Sequence, residues 1–154
     1  MTHYADMAPL THFRRWEPLL TAIGWLDPVA PFDRGELEEP VFAALVALCV
    51  DPWQPAVHAG RHACPFCRFT GGPSQVAYRG TTVPIGANNV FVPGDGTVFV
   101  APTTVLHSID AHGYMPPLAF QQAVMTCPPM KSMGYLREIE ARGLVVTPRP
   151  SPGS

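Results

Sequence analysis

The sequence predicts an α+β fold in one small domain: a short antiparallel β-hairpin or sheet in the middle, flanked by N-terminal and C-terminal helices. Three observations predict it. Apolar residues recur at helical spacing on both sides of the chain. Between them, residues 75–100 form short runs rich in valine, threonine and aromatics, punctuated by glycine. No internal repeat or linker divides the 154 residues, a length that supports one hydrophobic core and is short for two. The domain is expected over residues 1–146, with 147–154, rich in proline and serine, as a disordered tail.

The first helix is expected from Phe13 to Trp25, where Trp16, Leu19, Leu20 and Ile23 make one apolar stripe and Pro18 falls in the tolerant first turn. Residues 27–34 are a proline-rich loop. Gly35 to Val50 forms the second helix, led by Glu36, Glu38 and Glu39, which suit the positive end of a helix dipole, with Pro40 dividing a cap from the main body. β structure begins at Gln75. Val90–Pro93 and Thr97–Val100 make the clearest hairpin, because Pro93-Gly94-Asp95-Gly96 supplies the positive φ angles of a tight reversal. Pro102 opens a helix running through His112 to Gly113. Pro116 and Pro117 open the next, with Leu118, Phe120, Ala123 and Val124 inward. Ser132 caps the last, which carries Tyr135, Leu136 and Ile139 and ends at Gly143.

Composition narrows the function classes. The chain is 47% hydrophobic and 14% charged, against about 25% charged in an average domain, so it buries a core behind a sparsely charged surface. Ten basic and twelve acidic residues leave no electrostatic footprint for nucleic acid or an anionic membrane. The longest apolar run, Val41 to Val50, is closed by Pro40 and Pro52 and falls short of the roughly 20 residues that span a bilayer. The N-terminal stretch lacks the apolar core of a secretory signal, so a cytoplasmic location is expected, where four cysteines point to metal or free thiols before disulfides. Cys49 and Cys127 read as small buried hydrophobes.

The chemistry-bearing pattern is Cys64-Pro65-Phe66-Cys67, two thiolates on one tight turn, followed some forty residues later by His107 and His112. The histidine spacing is that of zinc sites. Residues five apart on a regular helix lie about 140° from each other, so both imidazoles reach one ion only if the helix unwinds or ends there, and Gly113 supplies the ending. Two cysteines and two histidines fill a tetrahedral Zn2+ shell, so the site is expected to be a structural staple, whose removal should unfold the central hairpin. His62 is a fifth candidate ligand, since in an extended segment it faces the same way as Cys64. Three functional readings follow. The first is a non-catalytic binding or accessory protein whose partner is another protein, with Trp53, Phe66 and Tyr114 as a contact patch or as local core. The second is a small zinc-dependent hydrolase or lyase with an open metal position and His62 and Asp110 as its acid–base groups. The third is a Cys-x-x-Cys thiol oxidoreductase, disfavoured because Arg-Phe-Thr-Gly-Gly-Pro after Cys67 breaks any helix that would activate the thiol.

The segments YADMAPLTHF, GWLDP, GRHACPFC, NNVFVPGDGTVFVAP, VLHSIDAHGYMPPLAF and MKSMGYL resemble a family of small, uncharacterised bacterial proteins, a domain of unknown function. The resemblance spans about Tyr4 to Gly143. It rests most on Gly-x-His-x-Cys-x-x-Cys and the downstream His-Gly-Tyr-x-Pro-Pro segment. It implies one compact zinc-bearing domain and transfers no activity. Ser108 and Ile109 follow His107 where such proteins carry an aromatic residue, which alters packing without removing a ligand.

Overall fold

A computed structural model describes residues 3–11, 19–55, 63–67 and 69–144. The elements run β1 (Leu20–Ala22), α1 (Glu39–Cys49), β2 (Gln75–Tyr78), β3 (Thr81–Pro84), β4 (Asn89–Pro93), β5 (Val98–Pro102), α2 (Val105–His112), α3 (Leu118–Thr126) and α4 (Met133–Ala141). Strands β1, β5 and β4 form one sheet in that order, with β5 parallel to β1 and antiparallel to β4. The β2–β3 hairpin is a separate two-stranded sheet.

Every residue of β4 and β5 is buried, which is why both read as continuous apolar runs without polar alternation. Strand alternation sends their side chains into two different cores. Val90, Val92, Phe99 and Ala101 point toward α1, α2, α3 and the β2–β3 hairpin, packing with Leu45, Leu106 and Phe120. Phe91, Val98 and Val100 point the other way, packing with Leu20, Trp25, Tyr135 and Ile139. Buried polar atoms on the second face are satisfied: Trp25 Nε1 donates to Val100 O at 3.0 Å and Tyr135 OH to Phe91 O at 2.7 Å.

The sequence reading needs correction at four places. Residues 20–22 form a strand, not the end of a helix over 13–25. Leu20 and Ala22 both face the second core while Thr21 hydrogen-bonds Thr97, so a period of two replaces the helical period, and pairing with β5 satisfies backbone groups that a helix would leave open on the sheet. Trp16 and Pro18 of that expected helix lie outside the described residues. Pro102 ends β5 and does not open α2, which begins at Val105 after a turn through Thr103 and Thr104. Leu118 faces solvent at 66% exposure, because Phe120, Ala123 and Val124 alone cover the sheet. The second helix begins at Glu39, with proline in its first turn. Residues 147–154 also lie outside the described residues, as does Val146. Among the described residues, no helix is long and apolar enough to cross a membrane.

Candidate metal centre

The chain brings Cys64, Cys67, His107 and His112 together: one ligand-type atom from each lies within 4.8 Å of all the others. The two thiols sit on a turn closed by Cys67 N–H donating to Cys64 O at 3.3 Å. Cys64 N–H donates to Gly71 O at 2.6 Å and Gly71 N–H to Cys67 O at 2.8 Å, so Cys64, Cys67 and Gly71 are tied into a closed knuckle. Gly72 completes it. Its φ is +86°, and a Cβ there would meet Cys64 Cβ at 2.7 Å, so glycine is required by both backbone and space.

The histidines come from opposite ends of α2. His112 is the last helical residue, and Gly113 follows with φ 67°. The N–H groups of Gly113 and Tyr114 both reach back to Ser108 O, spans of five and six residues. That final turn is wider than an α-turn, and the helix ends directly after His112, as the 140° argument requires. The imidazole rings stand at 88° with centroids 4.9 Å apart and Nε2 atoms 3.2 Å apart. Cys67 Sγ lies 3.3 Å from His107 Nε2 and 3.7 Å from His112 Nε2, and Cys64 Sγ lies 3.4 Å from His112 Nε2. Four donors facing one point in this way are compatible with a metal ion.

Burial sets the electrostatics. Cys64 is 4% exposed, and desolvation raises its thiol pKa. Desolvation lowers that of His107, helped by the neighbouring His112 and opposed by Asp110. A neutral imidazole offers its lone pair, as ligation needs. Phe66 packs its ring on His112 at 5.1 Å and on Phe32 at 5.4 Å, and Phe32 meets Tyr114 edge-on at 6.0 Å. Tyr114 OH donates to Asp6 Oδ2 at 2.7 Å, and Asp6 Oδ1 accepts from Gly24 N–H at 2.9 Å. The residues after His112 are thereby tied to the N-terminal segment.

Of the two readings of Trp53, Phe66 and Tyr114, a contact patch or core, the buried packing favours core for Trp53 and Tyr114. Tyr114 is fully buried, and Trp53 packs on Phe91 and Tyr135 in the second core. Phe66 alone borders the cluster and is partly covered. Asp110 is exposed on α2, and His62 lies outside the described residues. Sequence reasoning missed Gly72, Phe32 and Asp6. The Gly71-Gly72 pair was a usable signal, whereas nothing local links Asp6 to Tyr114, 108 residues away.

No curated protein and no solved structure matches the chain. A family model does match, over residues 2–125, which include all four clustered residues and end within α3. The chain therefore belongs to the family described as Domain of unknown function (DUF7919).

Proposed function

We propose that Cys64, Cys67, His107 and His112 hold a zinc ion as a structural cross-link, and that the chain is a non-catalytic binding or accessory protein whose partner is another protein. The spacing of the donors carries this reading. Around zinc, with sulfur at about 2.3 Å and nitrogen at about 2.0–2.1 Å, tetrahedral edges are about 3.6 Å for sulfur to nitrogen and about 3.3 Å for nitrogen to nitrogen. The corresponding separations here are 3.3, 3.4 and 3.7 Å, and 3.2 Å. Thiolates with imidazoles in a tetrahedron suit zinc among the common divalent ions.

Four protein donors fill that shell and leave no position for water or substrate, which argues against a zinc hydrolase or lyase. A thiol oxidoreductase is disfavoured because Cys64 opens a turn and not a helix, and its burial raises the thiol pKa where such enzymes lower it. A protein partner is supported by Phe69, a fully exposed aromatic on the knuckle, since rigidly presented aromatic rings are effective contact groups. A net charge of −2 gives nucleic acid and membrane surfaces nothing to hold. Thiolate ligands persist in a reducing compartment, which fits the cytoplasm.

Metal analysis of the purified chain tests the reading, followed by cobalt substitution. About one ion per chain is expected, with the sulfur-to-cobalt charge-transfer band and the strong visible absorption of a tetrahedral site. Cys67→Ser and His112→Ala should each weaken or abolish binding. An octahedral cobalt spectrum, or no stoichiometric metal, overturns it.

A further inference from the structure

Two of the four donors are neighbours on one turn, and that turn has the geometry of a disulfide as well as of a chelate. The Cys67 N–H to Cys64 O hydrogen bond closes residues 64–67, and a turn of that kind holds its first and fourth Cα atoms within about 7 Å, the reach of a disulfide. The sulfurs themselves lie within 4.8 Å. They differ in access: Cys64 is 4% exposed, while Cys67 is half-buried. We infer that the Cys64–Cys67 pair is an oxidation-sensitive release for the metal, in which a hydroperoxide converts the two thiolates to a disulfide and the ion leaves. This rests on the zinc reading above.

The chemistry balances with hydrogen peroxide as the oxidant. The Cys67 thiolate attacks one peroxide oxygen, the O–O bond breaks, and a sulfenic acid and hydroxide result. The Cys64 thiolate then attacks the Cys67 sulfur, forming the S–S bond and displacing a second hydroxide. Two protons convert the hydroxides to water. The two sulfurs together lose two electrons, the peroxide gains two, and zinc departs unchanged as Zn2+. His107 and His112 remain as two donors, half the shell.

The surroundings let this step be local and reversible. The bonds from Cys64 N–H to Gly71 O and from Gly71 N–H to Cys67 O are backbone bonds and do not depend on the metal. None of the four clustered residues belongs to either apolar core, so α2 keeps its anchors Val105 and Leu106 when the cross-link opens. Cys49 and Cys127 offer no easy competing thiolate, because burial pushes both thiols up to about 12. What oxidation undoes is the tie between the knuckle and the end of α2.

The test uses the full chain loaded with zinc, its metal content measured first, then titrated with hydrogen peroxide in the presence of a chromogenic zinc indicator. Zinc should appear in step with a mass loss of about 2 Da, at about one ion per disulfide, with peptide mapping assigning Cys64–Cys67. A thiol reductant with added zinc should restore the starting state, and the Cys49→Ala, Cys127→Ala double variant should respond in the same way. Zinc held at peroxide doses that fully oxidise glutathione overturns the inference. So does zinc release with Cys64 and Cys67 still reduced or carried on to sulfinate, or a disulfide through Cys49 or Cys127. A chain that retains no zinc before peroxide is added overturns the metal reading and this inference together.

Discussion

Single residues hold the site through space and backbone angle more than through charge. Gly72 has both constraints, whereas Gly113 has only the angle: its φ is 67°, and a Cβ there would have nothing within 4 Å. Left-handed backbone costs an L-residue about 1–2 kcal/mol, close to a tenfold change in an affinity. Gly113→Ala should therefore weaken zinc binding by about that factor, and Gly72→Ala by more, since Cys64 must also move. Competition with a chelating indicator measures both, and equal losses would refute the steric part. Asp6 gives a pH signature away from the four clustered residues. Burial raises its pKa above 3.8, against the opposing hydrogen bonds from Gly24 and Tyr114. The folded state thus binds the proton more tightly than the unfolded chain, so this contribution to stability is complete below about pH 3.8 and is lost as pH rises through the raised value. Asp6→Asn keeps one oxygen to accept from Gly24 N–H, presents an amide NH2 that can donate to the Tyr114 hydroxyl oxygen, and does not ionise. Its stability relative to the parent chain should rise between pH 4 and pH 7 in urea unfolding, and a flat difference would contradict the assignment.

At the scale of elements, the four clustered residues bring together a knuckle and a helix end, not a hairpin and a core. The expectation that zinc removal unfolds the central hairpin changes accordingly. Strands β4 and β5 are buried on both faces by side chains that include none of the four clustered residues. Chelation should raise amide exchange in residues 63–72 and in the last turn of α2, while Val90–Val92 and Val98–Ala101 stay protected. Exchange measured by mass spectrometry with and without chelator decides this, and loss of protection in β4 and β5 would restore the original expectation. The knuckle owes its shape to short backbone bonds, and α2 owes its widened end to Ser108 O. The four clustered side chains join these two pieces.

Across the whole molecule, one sheet separates two apolar clusters, with α1, α2 and α3 on one side and α4 with Leu10 of the N-terminal segment on the other. Because β4 and β5 contribute alternate residues to both, the clusters cannot come apart independently. Leu45→Ala and Ile139→Ala, both at fully buried positions, should each cost about 2–5 kcal/mol and lower one common unfolding transition. Separate transitions in calorimetry would show two cooperative units. The sequence by itself determined the helices α1, α3 and α4, the β4–β5 hairpin and the identity of the four clustered residues. Their signals are local: proline and serine at helix starts, Asp-Gly at a reversal, and short Cys–Cys and His–His spacings. Tertiary structure decided that Leu20–Ala22 is a strand, because its hydrogen-bond partners come from distant β5 on one edge and from residues 7–10 on the other. It decided too that Trp53 and Tyr114 are core and that Asp6 meets Tyr114, since pairings across a hundred residues depend on chain topology and leave no periodic trace in the sequence.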